Sequence, residues 1–144
     1  MPTIQQSITI NRTPEVIFKF FSNVENNTKW QSGLKSSKQI SPGPAGVGTK
    51  LVDTRELLGQ KIESEYEITA FEPNKKVTLT ASGGPITYVG TFTFDAAGSG
   101  TKVSSSFDFQ VGGALKMMEG SIVGQAQKQF ESDFARLKEL LEAM

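Results

Sequence analysis

LKMMEGSIVGQAQKQFESDFARLKELL, residues 115–141, is the stretch that decides the fold. Its apolar residues recur at helical spacing: Leu115, Met118, Ile122, Val123, Ala126, Phe130, Phe134, Leu137 and Leu141. Because the opposite face is charged, the pattern predicts one long amphipathic α-helix that buries a wide apolar stripe. Gly120 and Gly124 each cost about 1 kcal/mol relative to Ala in a helix interior. They share a face, where they either allow close approach of the sheet or first helix, or leave room for a ligand or a bend.

Short alternating segments precede this helix and supply the surface that it would cover. Strands are predicted at residues 3–10, 35–40, 48–57, 61–71, 77–81, 86–95 and 101–111, with turns that include 58–60 and 82–85. One face of these strands is apolar and the other is rich in Thr, Ser, Lys and Glu, which is typical of an antiparallel meander with one side in water. The sequence therefore predicts an α+β fold, a curved antiparallel sheet of six to seven strands around a long C-terminal helix.

Two short helices are predicted directly after the first strand. Thr13 is a good N-cap and Pro14 suits the first helical position, where its missing N–H has no partner to lose. Apolar residues then follow at helical spacing: Val16, Ile17, Phe20, Phe21 and Val24. The pair Asn26 and Asn27 ends this helix, and a second short helix or turn carries Trp30.

Composition narrows the possible functions. The length of 144 residues predicts a single domain, 1–144. With 15 basic and 15 acidic residues and no basic patch, a nucleic-acid partner is not expected. The absence of Cys and His excludes disulfides, a cysteine nucleophile and a Ser-His-Asp triad, and we expect no metal and no cofactor. The N-terminus lacks the pattern of a signal peptide, and no run is apolar enough for a membrane span, so we expect a cytoplasmic protein.

Several local motifs resemble those of one family. They are ITINRTPEVIF (8–18), NVENNTKW (23–30), GVGT (46–49), YEITAFEP (66–73) and GTKV (100–103). Together with the element order, they are similar over nearly the whole chain to the START-like, or helix-grip (SRPBCC), superfamily, and within it to the bacterial polyketide cyclase/dehydrase and lipid-transport branch. The resemblance implies the helix-grip fold, with a cavity for a small hydrophobic molecule between the sheet and the helix. It does not identify a function, because the superfamily includes lipid carriers, hormone receptors, aromatase/cyclases and oxygenase domains whose iron ligands include His.

Asp53 and Arg55 are the most informative polar residues. They lie two apart on a predicted strand and share their face with Leu51 and Leu57, which suggests that this face points inward. One interpretation is that the pair is solvated at the strand end or neutralised locally, since most charged side chains stay exposed. The other is that Arg55 binds a ligand carboxylate or enolate through its two-pronged guanidinium, with Asp53 orienting it.

Aromatic and aliphatic residues complete the predicted ligand-binding site. Tyr66 and Tyr88 lie on apolar faces, where each hydroxyl bonds either to a ligand oxygen or to the protein itself. Trp30 is a core or cavity-rim residue whose N–H is able to donate to a ligand. The remaining members of the site are Leu51, Phe92, Phe107, Phe109, Met118 and Ile122. Glu63, Glu65 and Glu67 face the opposite way and are expected to be solvated.

Three functions remain open at this point. The first is a carrier or binding protein for a small hydrophobic or aromatic molecule, which the absence of His and Cys favours. The second is a polyketide cyclase or dehydratase that acts in the same cavity, with Arg55, Asp53 and the tyrosines as its available polar groups. The third is a module that binds a protein partner when its ligand is present. The oligomeric state, monomer or homodimer, is left open.

Overall fold

The computed structural model describes residues 3–31, 33–57, 59–81 and 86–144. Among these residues, ten regular elements follow one another along the chain. They are β1 (Thr3–Ile10), α1 (Pro14–Ser22), α2 (Asn27–Trp30), β2 (Leu34–Gln39), β3 (Lys50–Leu57), β4 (Gln60–Glu72), β5 (Lys76–Ala81), β6 (Ile86–Ala97), β7 (Gly100–Val111) and α3 (Glu119–Glu142). Short 3-10 turns at Val24–Asn26 and Gly113–Met118 precede α2 and α3.

The strands form one antiparallel sheet of seven strands in the order β1-β7-β6-β5-β4-β3-β2. This order confirms the predicted meander, with β1 closing against β7. The hairpin between β6 and β7 is tighter than predicted, because Ala97 pairs with Gly100 and leaves only Gly98 and Ser99 in the turn. The predicted turn at 82–85 and Leu58 of the turn at 58–60 lie outside the described residues.

The start of α3 differs from the prediction. Residues Gly113–Met118 form a 3-10 turn, and the α-helix begins at Glu119. A Cβ added at Gly120 or at Gly124 would meet no other atom within 4 Å, so neither glycine serves close packing against the sheet or α1. Both positions are exposed instead. The side chain of Leu115, counted in the predicted stripe, lies outside what the structure describes.

The C-terminal half of α3 is the firmly packed part of the molecule. Phe134, Leu137 and Leu141 are buried, with exposed fractions of 2%, 0% and 0%. They join α1 and the inner face of the sheet in one apolar core. The guanidinium of Arg12, just before α1, donates to the carbonyl oxygens of Glu142 and Met144, each at 2.6 Å. This clasp satisfies carbonyls at the helix end that have no partner within the helix.

The strand directions place the start of α3 beside one end of the sheet. Because neighbouring strands are antiparallel, the C-terminal ends of β3, β5 and β7 lie together at this end, which we call the open end. The opposite end of the sheet, where Arg12 binds the C-terminus of α3, we call the closed end. Among the described residues, no helix is long and apolar enough to cross a membrane.

Candidate ligand-binding site

A cavity of about 210 Å³ lies between the inner face of the sheet and the N-terminal half of α3. All but one of the residues predicted for the ligand-binding site line it. They are Trp30, Leu51, Asp53, Arg55, Tyr66, Tyr88, Phe92, Phe107, Phe109 and Ile122. The alternation read from the strands thus places these side chains around one space, because strand residues of one parity share a face. Leu57, assigned by the same reasoning to the inner face, has a side chain outside what the structure describes.

Met118 is the exception, and its predicted place in the lining was wrong. Its side chain is 41% exposed and lies outside the cavity wall. The reason is local, because the 3-10 turn at Gly113–Met118 changes the angular spacing before the α-helix begins. Ile122, one helical turn later and only 6% exposed, belongs to the wall.

Aromatic rings make up much of the wall. The Trp30 ring is 3% exposed and lies 6.4 Å from the Phe92 ring and 6.1 Å from the Phe134 ring, between ring centres. Phe107 meets Phe92 and Phe130 edge to face at 5.5 Å and 5.3 Å. Such tilted and edge-on contacts are the attractive arrangements of aromatic pairs. The indole Nε1 of Trp30 is buried without a hydrogen-bond partner in the described part of the chain.

Gly90 determines where Phe107 lies, and sequence reasoning did not single it out. The two residues are paired across β6 and β7. A Cβ added at Gly90 would lie between 2.1 Å and 2.5 Å from atoms of the Phe107 ring. The ring therefore packs directly on the backbone of β6, where any side chain would push it toward the cavity. The available signal was a single glycine inside a predicted strand, which often marks such a close approach.

The polar end of the cavity is organised around Asp53, which is 4% exposed. The Tyr66 hydroxyl donates to Asp53 Oδ1 at 3.0 Å. Arg55 Nη2 lies 3.5 Å from Asp53 Oδ2 and also donates to Gln31 Oε1 at 2.5 Å. Of the two interpretations of the Asp53 and Arg55 pair, this geometry favours local neutralisation, since a buried carboxylate needs such partners.

Both tyrosines keep their protons well above neutral pH. Burial is the main cause that raises the pKa of Tyr66, and the negative charge of Asp53 raises it further. Burial and then Asp53 also raise the pKa of Tyr88, with Arg55 opposing them. The two hydroxyls are therefore neutral hydrogen-bond donors and acceptors in the cavity wall.

Asp133 is a second buried carboxylate of the cavity that sequence reasoning missed. It is 3% exposed and lines the cavity from α3. The signal was present in the helical spacing, because Asp133 falls between Phe130 and Phe134 on the apolar stripe rather than on the charged face. In the described part of the chain, no group of three or more acidic side chains is placed to hold a metal ion.

The fold has well-defined relatives among solved structures. A protein of Thermus thermophilus superposes with a TM-score of 0.84 at 18% identity, covering 99% of this chain and 98% of that one. A START superfamily protein from Mycobacterium smegmatis gives a TM-score of 0.76 at 15% identity, over 96% and 98% of the two chains. The ZhuI aromatase/cyclase from Streptomyces sp. R1128 gives 0.82 at 9% identity, over 98% and 93%. At such identities these likenesses establish the fold alone.

The sequence itself assigns the family. No curated protein matches the chain. The sequence pattern of the family described as "Polyketide cyclase / dehydrase and lipid transport" matches residues 1–142. The structure agrees with this match, because a curled sheet of seven strands encloses one long C-terminal helix. The chain therefore belongs to the polyketide cyclase/dehydrase and lipid transport family.

Proposed function

We propose that the protein binds a small hydrophobic or aromatic molecule in the cavity between the sheet and α3, as a carrier or ligand-binding protein. The observation that carries this proposal is the cavity of about 210 Å³, whose wall is mainly aromatic and aliphatic with a few polar groups at one end. That composition is typical of small-molecule sites. An apolar cavity of about 150 Å³ is large enough to hold benzene. The space therefore suits an occupant of about one or two rings.

The proposed site divides into a body and a polar end. Trp30, Phe92, Phe107 and Ile122 would contact the apolar body of the ligand, together with Leu51 and Phe109. Asp53, Arg55, Tyr66 and Tyr88 would meet its polar group. Fixing a ligand in this way, with a large apolar contact and few polar groups, gives affinity from burial and orientation from hydrogen bonds.

Trp30 provides a direct test, because it is the only tryptophan of the chain and lies in the cavity wall. We expect ligands to change its fluorescence and to raise the melting temperature of the protein in a concentration-dependent way. Native mass spectrometry of the protein purified from its own host, followed by denaturation, would identify any compound that it carries.

A matched pair of helix variants makes the test specific. Ala126 lines the cavity on α3, whereas Ala135 on the same helix is exposed. We expect Ala126→Leu to weaken binding by about tenfold or more, because the larger side chain would occupy part of the cavity that the ligand needs. Ala135→Leu should bind as the unchanged protein does. Equal binding by both variants would place the ligand outside this cavity.

The cluster of Asp53, Tyr66 and Arg55 favours a second candidate, a cyclase or dehydratase that acts in the same cavity. A buried carboxylate hydrogen-bonded to a tyrosine at 3.0 Å is a group able to move a proton at a bound substrate. Holding a flexible polyketide-like chain in a folded shape would contribute further by proximity. Turnover of a poly-β-ketone thioester, lost in Asp53→Asn but retained in Glu65→Gln, would support this candidate, whereas unchanged substrate released from the cavity would support the carrier.

A further inference from the structure

Two buried polar groups of the cavity wall, one on α2 and one on β7, are suited to contact a ligand. In the described part of the chain, three buried side-chain polar atoms have no hydrogen-bond partner: Trp30 Nε1, Ser37 Oγ and Ser105 Oγ. Trp30 and Ser105 line the cavity and are each 3% exposed. Ser37 lies outside the wall, beside the Tyr66 hydroxyl. Unsatisfied groups of this kind are rare in folded proteins, because each costs the free energy of removing it from water.

Trp30 and Ser105 both border the side chain of Phe92. The centre of the Phe92 ring lies 6.4 Å from that of the Trp30 ring. Ser105 pairs with Phe92 across β6 and β7, and residues directly opposite each other have Cβ atoms about 4.5–5.5 Å apart on one face of the sheet. Val103 and Phe107, two residues to either side of Ser105, are 0% and 7% exposed, so this face of β7 points inward. The two unpaired groups therefore belong to the same part of the cavity.

This part of the wall is separate from the polar end. Ser105 lies on β7 and Asp53 on β3, with β6, β5 and β4 between them in the sheet. The neighbours of Phe92 are aromatic, with the rings of Phe134 and Phe107 at 6.4 Å and 5.5 Å between ring centres. In such apolar surroundings a hydrogen bond is stronger than in water, and an unpaired polar group is more costly. A ligand that pairs these groups would therefore gain affinity.

We infer that Trp30 and Ser105 form a second polar subsite, which binds a neutral acceptor oxygen on the apolar body of the ligand. This inference rests on the proposed function. An indole N–H only donates and a serine hydroxyl is able to donate, so an oxygen that accepts satisfies both groups. A carbonyl oxygen has two lone pairs and carries no proton, which suits it to two donors. The ligand class is therefore a ring ketone of about one or two rings.

The test compares 1-tetralone with tetralin, two compounds of similar shape that differ by one carbonyl group. In a wall without donors, tetralin would bind more tightly, because the carbonyl would lose its hydrogen bonds to water and gain none. We expect the opposite order, with 1-tetralone bound about threefold to tenfold more tightly, as net hydrogen bonds to neutral donors predict. Titration calorimetry on the unchanged protein measures both affinities.

Two variants assign this preference to the two donors. Trp30→Phe keeps an aromatic ring and removes the N–H, and Ser105→Ala removes the hydroxyl. Each should lower the ratio of the 1-tetralone affinity to the tetralin affinity by about threefold or more. The ratio is the specific measure, because a change in packing alone alters both affinities alike. Ser106→Ala removes a hydroxyl from the next residue of β7, outside the cavity wall, and should leave the ratio unchanged.

Two further measurements separate a ligand contact from a structural role. With 1-tetralone labelled with carbon-13 at the carbonyl, donation from the two groups should move the carbonyl resonance to higher chemical shift. Each of the variants Trp30→Phe and Ser105→Ala should reverse part of that shift. Without ligand, Ser105→Ala should not lower the melting temperature, because the hydroxyl has no hydrogen bond to lose within the described part of the chain.

The outcomes separate the inference from the proposed function. Tetralin that binds the unchanged protein as tightly as 1-tetralone, or more tightly, would overturn the acceptor subsite and leave the binding function standing. Failure of both compounds to bind would count against the binding function, and the subsite would fall with it. A preference for 1-tetralone that persists in both Trp30→Phe and Ser105→Ala would place the carbonyl elsewhere in the cavity and overturn the assignment.

Discussion

The two halves of α3 have opposite relations to the sheet. At the closed end, Leu137 and Leu141 are 0% exposed and fill the space against the sheet, and Phe134, one turn earlier, belongs both to this core and to the cavity wall. At the open end, Ile122 is buried but faces a cavity, while Val123 and Ala126 line it and are only half-buried. Gly120 and Gly124 are exposed and have no neighbour within 4 Å of an added Cβ. One helix thus anchors the fold with one half and borders the cavity with the other.

This difference separates stability from binding along a single element. Burial of large apolar side chains at the closed end provides stabilisation, at about 25 cal/mol per Å² of apolar surface removed from water. The open end keeps apolar surface that has no protein partner, so a ligand is able to contribute the missing contacts. Substitutions in the C-terminal half of α3 should therefore change mainly the free energy of unfolding, and substitutions in its N-terminal half should change mainly the affinity for the ligand.

The largest effect is expected at Leu137. Leu137→Ala should lower the free energy of unfolding by an amount near the top of the range of about 2–5 kcal/mol for such truncations, because it opens a cavity in a filled core. Ile122→Ala truncates a comparable side chain that already borders a cavity, so its cost should lie near the bottom of that range. Urea unfolding of both variants measures the two values.

Ligand titration completes this comparison. Ile122→Ala should change ligand affinity, and Leu137→Ala should leave it unchanged under conditions where the variant is folded. If Ile122→Ala costs as much stability as Leu137→Ala, the two halves of α3 are packed alike and the proposed division is wrong.

A smaller effect is expected at Gly90. Replacing glycine within a strand usually stabilises by reducing the entropy of the unfolded chain, whereas Gly90→Ala should destabilise by about 1–3 kcal/mol. The reason is the distance of 2.1–2.5 Å between an added Cβ and the Phe107 ring. The displaced ring should also reduce the cavity and weaken ligand binding.

The double variant tests this mechanism directly. Phe107→Leu removes the ring that the new methyl group would meet, so Gly90→Ala should cost less in that background than in the unchanged chain. Additive stability changes in the two backgrounds would show that Gly90 matters for another reason, since residues in contact give non-additive effects.

The sequence was sufficient for the sheet, the long helix and most of the cavity wall. Periods of two and of about 3.6 residues reveal which side chains share a face of a strand or a helix. The faces assigned in this way include residues as distant in sequence as Trp30 and Ile122, which line the same cavity. The same periodicity failed at Met118, because a 3-10 turn interrupts the helical spacing there. It also gave no reason to expect that Gly120 and Gly124 would be exposed, since a glycine has no apolar or polar side chain to mark its face.

Polar partners were harder to predict than apolar faces. The shared face of Asp53 and Arg55 followed from strand alternation, but the bond from Tyr66 to Asp53 depends on the register between β3 and β4, which a single strand does not reveal. Asp133 is a different case, because the sequence alone places it on the apolar stripe of the helix, between Phe130 and Leu137. A charged residue on an apolar stripe predicts a buried, paired side chain, since carboxylates are rarely buried without a partner.

The smallest expected signal comes from the two tyrosines of the chain, which both line the cavity. Burial and the charge of Asp53 raise both pKa values, so the native protein should show almost no tyrosinate absorbance at about pH 11, where a free tyrosine with a pKa of about 10 is mostly ionised.

The contribution to stability follows from the sign of these shifts. The folded state holds the two protons more tightly than the unfolded state, so this stabilisation is fully present below about pH 10 and falls as pH rises above it. In urea, both tyrosines should titrate normally. Native tyrosinate absorbance with a midpoint near pH 10 would contradict the burial of the two hydroxyls near Asp53. Asp53→Asn should lower the onset of the native titration, and Glu65→Gln should leave it in place.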